Sequence, residues 1–246
     1  MTLSQGWKNT VDAGVTDATW DAHDATIQAE ITAYNLKFLN NAGYTAVDWK
    51  VCKAVVWVES GGPSSSAWTH RAMQIGNTGD QGLGILQRGE DASLLIMSPQ
   101  LAAAVKNTAQ VASGPALNIK AGIAYLFTRM SLSEIRSVNT ENPPTVRQYT
   151  VVSGDGLGVI ARKVGTTVEV LESLNPSAKG TIHPGNVLKF TKARHQRVIV
   201  NWRDFTSMTV IADRYNGGGD PDYAAKLVYV LDLFKKLQRS AAPKTP

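Results

Sequence analysis

The sequence predicts an α+β chain in which a mainly helical domain is interrupted by a small strand–helix–helix–strand unit. Three observations lead there. Apolar residues recur at helical spacing in long segments near both ends of the chain. A polar stretch with a Pro-Pro pair, NTENPPTVRQ at 139–148, marks a change of character. Beyond it, two runs of strand length bracket two brief helical runs. The 246 residues suffice for one large domain, or for a medium one with a small companion. With 43% hydrophobic and 18% charged residues the composition is that of a globular protein. No apolar run approaches the ~18 residues of a membrane span.

Taken in order, residues 22–41 place Ile27, Ile31, Tyr34 and Phe38 on one helical face, and Gly43 ends that element. Residues 46–60 form a second helix with a stripe of Val47, Val51, Ala54, Val55 and Val58. Thr45 is the expected N-cap and Asp48 the first-turn acid, while Gly61-Gly62-Pro63 stops the helix. Glu59 thus falls in the last turn of a mostly buried helix. Residues 61–92, rich in Gly, Ser, Asn and Asp, read as a long irregular loop of the kind that carries function. A short helical stretch is expected at 93–106, broken or started near Pro99. Another helix spans 118–131, with Ile119, Ile123, Leu126 and Met130 on one face.

In the middle unit, strands are expected at 148–152 and 186–190, with helical runs GVIARKVG and VEVLESLN between them. Residues 197–202 read as a strand. Residues 222–238 make an amphipathic helix through Leu227, Val230, Leu231, Phe234 and Leu237, and the tail SAAPKTP reads as disordered.

The formal net charge of +5 favours polyanions: nucleic acid, anionic lipid or the bacterial wall. No dense Lys/Arg block with interleaved aromatics supports nucleic-acid binding. The one cysteine, Cys52, excludes an intrachain disulfide and reads as a buried structural thiol. His23, His70, His183 and His195 lack ligand spacing, so no metal and no other cofactor is expected. The segment MTLSQGWKNTVDAGVTD has neither the basic nor the apolar part of a secretory signal, so the expectation is either synthesis in the cytoplasm with exit by another route, or a chain that is a fragment of a longer protein.

A carboxyl that ends a hydrophobic helix and faces a polar loop suits general acid catalysis. Burial disfavours its charged form and raises its pKa. Cleavage of a glycosidic bond needs such a protonated acid for the leaving oxygen. Alone, VWVES fits a solvated helix-end carboxylate as well. Three further segments follow Glu59-Ser60: Ala72-Met73-Gln74-Ile75-Gly76-Asn77, then Asn118-Ile119-Lys120-Ala121-Gly122-Ile123-Ala124-Tyr125-Leu126, then Tyr215-Asn216-Gly217-Gly218. Together, and in this order, they resemble the motifs of the lytic transglycosylases related to goose-type lysozyme, over roughly 44–130 and 205–237.

That resemblance implies a lysozyme-like helical domain that cleaves the β-1,4 bond between N-acetylmuramic acid and N-acetylglucosamine, leaving 1,6-anhydro ends. It makes Glu59 the catalytic carboxyl. It counts Ser60, Met73, Gln74, Ile75, Asn77 and Asn118 among the substrate-binding residues, puts Tyr125 near the acid, and has Tyr215 and Asn216 contact the sugar or the acid. Arg71-Ala72 departs from the usual Gly-Leu before Met-Gln, and the polar run 76–80 is unusual. Asp80 in that run is a candidate second acid, with Glu90 and Asp91 as weaker ones. An acid holding a water opposite Glu59 would make the enzyme a hydrolytic muramidase.

Residues 149–190 resemble a LysM domain through Tyr149-Thr150-Val151, Gly154-Asp155, Ile160-Ala161, Leu174-Asn175-Pro176 and Ile182-His183-Pro184-Gly185 before Leu188. The resemblance implies binding of N-acetylglucosamine-containing glycans between two loops, one carrying Gly154, Asp155, Gly156 and Leu157, the other Asn175, Ile182 and His183. Gly156 stands where the family usually has Thr or Ser. The expected organisation is a first catalytic segment at 1–146, an inserted LysM domain at 147–192 and a catalytic C-terminal segment at 193–246. An antibacterial role follows, acting on the periplasm or wall of a target cell after delivery as a type VI secretion effector or phage lysin. Residues 197–231 resemble effector-type lysozyme domains, which implies a cognate immunity protein. A non-catalytic peptidoglycan-binding or phage-tail module is the alternative.

Overall fold

The computed structural model describes residues 3–179 and 181–241, with side chains as far as residue 236. The chain is a mixture of helix and strand, an α+β architecture. It separates into two compact units, Met1–Ser133 with Ile199–Pro246, and Glu134–Val198. In chain order the first nine helices are α1 Gln5–Asp12, α2 Asp24–Phe38, α3 Trp49–Ser60, α4 Ser66–His70, α5 Gln81–Arg88, α6 Ser93–Ile96, α7 Pro99–Ala104, α8 Thr108–Ser113 and α9 Pro115–Met130. Then come β1 Ser131–Asn139, β2 Arg147–Thr150, α10 Leu157–Val164, α11 Val168–Leu174, β3 Val187–Phe190 and β4 Ala193–Trp202. The chain closes with α12 Met208–Ile211, a π-helical turn at Ala212–Asn216, and α13 Tyr223–Ala241.

In the first unit α9 is the central helix. Pro115 opens it at a position where the missing N–H costs nothing. Ile119, Ile123, Leu126, Phe127 and Met130 are all fully buried, because α2 and α4 to α8 pack around it. Helix α3 lies between α2 and α13. Trp57 of α3 meets Trp20 at 4.5 Å and Phe234 of α13 edge-on at 4.8 Å. Each such aromatic contributes roughly 1.5–3 kcal/mol by leaving water. Lys53 is buried among the rings of Trp49, Trp57 and Phe234, and its charge is matched by Asp21 and Asp24. Cys52 is a buried free thiol whose pKa burial pushes up to about 12.

The second unit holds β2, α10, α11, β3 and most of the ribbon that β1 forms with β4. Strands β2 and β3 pair antiparallel, Arg147 opposite Phe190 and Thr150 opposite Val187. Val151, Ile160, Ala161, Leu171, Leu188 and Phe190 form its small core. The Asn139 carbonyl oxygen of the side chain accepts from Thr191 Oγ1 at 2.6 Å, joining the ribbon to this core unit.

Several expectations need correction. Asp48, not Thr45, caps α3, because its carboxylate accepts the Lys50 N–H. Helix α2 ends at Phe38, and Gly43 serves a later turn at φ 70°. The stretch 61–92 is no continuous loop: α4 and α5 lie in it, each started by a capping side chain, Ser65 and Asp80. Residues 132–138, where the sequence predicts no element, form β1 together with Ser131 and Asn139. Residues 134–146 and 193–198 belong to the second compact unit. In α13, Leu233 is buried while Leu231 is only partly so. The expectations for Leu237 and for residues 242–246 lie outside the described residues.

Candidate functional site

Apolar packing buries α3 from Val51 to Trp57, and the chain leaves the helix through Gly61, left-handed at φ 70°, whose N–H closes on the Trp57 carbonyl. Glu59 is therefore carried to the edge of the core, half-buried. It lines a cleft of about 410 Å³ together with Met73, Gln74, Ile75, Asp80, Tyr125, Tyr215 and Asn216, with Gly79, Gln81, Gly82 and Gly217 completing the wall. Burial raises the Glu59 carboxyl to about 7 against the opposing hydrogen bond from Tyr223; Asp220 and Asp80 push it the same way as burial, and Lys226 opposes. The Tyr223 hydroxyl donates to Glu59 Oε1 at 2.6 Å.

The segment 73–76 is the most tightly built wall. Asn118, fully buried in α9, accepts the Met73 N–H at 2.9 Å and donates to the Ile75 carbonyl at 2.7 Å and the Val111 carbonyl at 3.0 Å. Tyr215 donates to the Met73 carbonyl at 2.7 Å, and its ring lies 5.6 Å from that of Tyr125. Gly122 admits Met73: a Cβ there would stand 2.6 Å from the Met73 Cβ. Gln74 is held in the left-handed region at φ 53°, a conformation that costs of order 1–3 kcal/mol. Asn77 holds it there, donating to the Gln74 carbonyl at 3.1 Å and to Gln74 Oε1 at 2.5 Å. Gln74 Nε2 reaches the Glu59 carbonyl at 3.3 Å.

The motif residues thus divide. Met73, Gln74, Ile75, Tyr125, Tyr215 and Asn216 line the cleft with Glu59. Ser60 and Asn118 do not. Ser60 donates to the Val56 carbonyl and accepts the Gly62 N–H. Asn77 lies behind Gln74. These three side chains bond to backbone and neighbouring side-chain groups. Asn216 accepts the Asp220 N–H at 2.7 Å.

Asp80 lines the cleft, but as the N-cap of α5. Its oxygens accept from Gly76 N at 2.6 Å, Gly82 N at 2.7 Å and Leu83 N at 3.2 Å. Glu90 forms an exposed pair with Arg88, and Asp91 a pair with Arg129 at 3.3 Å; neither lines the cleft. Among the described residues no group of three His, Cys, Asp or Glu is placed to hold a metal ion, and no helix is long and apolar enough to cross a membrane. Sequence reasoning missed Tyr223, Asp220 and Lys226. Their only sequence signal was position, at the start of the last helix directly after the Tyr-Asn-Gly-Gly segment.

In the second unit, Gly154 is exposed at φ 86°, where the turn requires a residue tolerant of that conformation. The Asp155 carboxylate, 1% exposed, accepts from Lys163 at 2.6 Å, from the Val152 N–H at 3.0 Å and from Tyr149 at 2.8 Å. Lys163 first, then that N–H, hold it down to about 2. Asn175 closes on Leu171 and on both backbone groups of Lys189. Asp155 and Asn175 thereby hold the loops in place. Gly156 precedes α10, and Leu157 and Ile182 lean on the small core. His183 is exposed, its N–H bonded to Asn186. The two loops are neighbours, since the Gly185 N–H donates to the Val151 carbonyl at 2.8 Å.

No curated protein and no solved structure matches the chain significantly. The family model of the LysM domain matches residues 149–191. This stretch of the chain is a LysM domain, and it indicates peptidoglycan binding.

Proposed function

We propose that the protein is an antibacterial peptidoglycan-degrading enzyme, a lytic transglycosylase of lysozyme-like fold with Glu59 as its acid. One observation carries the reading. Segments far apart in sequence, from α3, the 73–75 wall, α9 and the turn at 212–216, meet around one cleft, and its buried carboxyl is raised to about 7. A carboxyl that titrates there is available both as acid and as base near neutral pH. In the first step Glu59 gives its proton to the oxygen of N-acetylglucosamine as the bond to C1 of N-acetylmuramic acid breaks. In the second the Glu59 carboxylate takes the proton of the C6 hydroxyl, whose oxygen closes on C1 to give the 1,6-anhydro ring. No water enters, and Glu59 ends as it began.

The commitment of Asp80 to three backbone N–H groups favours this route over hydrolysis, which asks a second carboxylate to hold a water. The LysM domain keeps the enzyme on its polymeric substrate, a gain in residence that needs no new contact in the cleft. The test is digestion of purified sacculi by the wild type and by Glu59→Gln. Lysis by the first and none by the second is expected; equal lysis, or none by either, overturns the reading. Delivery into a competitor by a contractile machine, with an immunity protein in the producer, completes the proposal. Periplasmic targeting in a host without that immunity protein is then expected to kill, and harmless expression would refute the toxin role.

A further inference from the structure

We propose that Tyr223 is the positioning residue of the acid: its hydroxyl makes Oε1 the accepting oxygen of Glu59, so that Oε2 carries the proton offered to the substrate. This rests on the role of Glu59 proposed above. Tyr223 stands in the first turn of α13, 2% exposed, and α13 packs along α3. The phenol is thus fixed against the acid by two packed helices. Its O–H···O distance of 2.6 Å is in the range of bonds to ionised or strongly polarised acceptors.

A protonated carboxyl has one O–H, and its other oxygen only accepts. Were the proton on Oε1, the phenol would have to donate to a carboxyl hydroxyl oxygen, a weaker acceptor than the carbonyl oxygen. Burial next to Glu59 pushes the Tyr223 phenol far up, so it stays a donor through the whole cycle. As Glu59 releases its proton, the same bond strengthens, because it then meets a charge. Tyr223 therefore eases the acid step and holds the resulting carboxylate in place to act as base. The other charged groups facing Glu59 are Asp80 at the start of α5, and Asp220 and Lys226, which pair at 2.6 Å.

The experiment compares wild type, Tyr223→Phe and Tyr215→Phe. Tyr215 serves as the reference because its buried hydroxyl bonds backbone and not the acid. Two readouts are taken: kcat/KM on sacculi against pH, and carbon-13 titration of the Glu59 carboxyl, with its resonance assigned through Glu59→Gln. Tyr223→Phe is expected to lose about 10- to 100-fold in rate, the scale of a mispositioned acid. Its alkaline limb and its Glu59 titration should both move to higher pH. Tyr215→Phe should leave the titration in place. A Tyr223→Phe rate loss with an unmoved titration overturns the proposal, as does no change in either readout. If the wild type cleaves no wall, the proposed function fails, while the titration still decides whether Tyr223 sets the protonation of Glu59.

Discussion

The end of α3 and the start of α5 bring a carboxyl each to the same cleft, and the two are treated in opposite ways. Asp80 sits where a helix begins. Three backbone N–H groups turn toward it, the bonding pattern of an N-cap side chain. Glu59 sits in the last turn of α3, where the dipole is negative and no backbone donor is free. Among the described residues a tyrosine hydroxyl donates to it, and burial carries it up to about 7. Position along a helix, more than residue type, thus separates the carboxyl proposed as the acid from one bound up in backbone contacts.

The contrast is broken most readily at Glu59. Glu59→Gln should lower the rate of wall cleavage by about 10²- to 10⁴-fold, measured as turbidity loss of sacculi. Wild-type kcat/KM should decline as pH rises through about 7, since the acid step uses the protonated form. The same carboxyl has a stability cost. Its folded pKa lies above the ordinary value of 4.5, so the protonated form favours folding, fully below pH 4.5 and progressively less up to about pH 7. Glu59→Gln is therefore expected to unfold at higher temperature than wild type at pH 8, by on the order of 2 kcal/mol, with the gap closing near pH 4. At Asp80 the expected effects are smaller and of another kind. Asp80→Ala should cost about 1–2 kcal/mol in urea unfolding, as loss of an N-cap does. Asp80→Asn, which keeps a capping oxygen, should retain most of the cleavage rate. A dead but stable Asp80→Asn would place Asp80 in the chemistry and erase the distinction.

Much of this arrangement was readable in the sequence. The apolar stripe of α3 and the Gly61 stop located Glu59, and the pattern from Tyr149 to Leu188 located the LysM domain that the family model matches at 149–191. What escaped has physical reasons. Helices α4 and α5 are 5 and 8 residues long, too short to show an apolar period, and their caps gave the segment the composition of a loop. The strand β1 follows α9 without a break, and its partner β4 lies more than fifty residues away, so no local signal announces it. Motif spacing marked Ser60, Asn118, Asp155 and Asn175, but not which way they face. All four bond groups of the chain itself, Ser60 and Asn118 in the core and Asp155 and Asn175 around their loops, a task that leaves no trace in a linear pattern. Tyr223 went unnoticed because a tyrosine at the head of an amphipathic helix reads as core until the distant partner is known.

The central claim is that Glu59 alone moves the proton and that no carboxylate-held water takes part. Mass spectrometry of the glycan ends released from sacculi by wild type, Glu59→Gln and Asp80→Asn tests it most directly. The account predicts 1,6-anhydro ends from wild type and from Asp80→Asn, and none from Glu59→Gln. Reducing ends from the wild type, lost in Asp80→Asn, would contradict it.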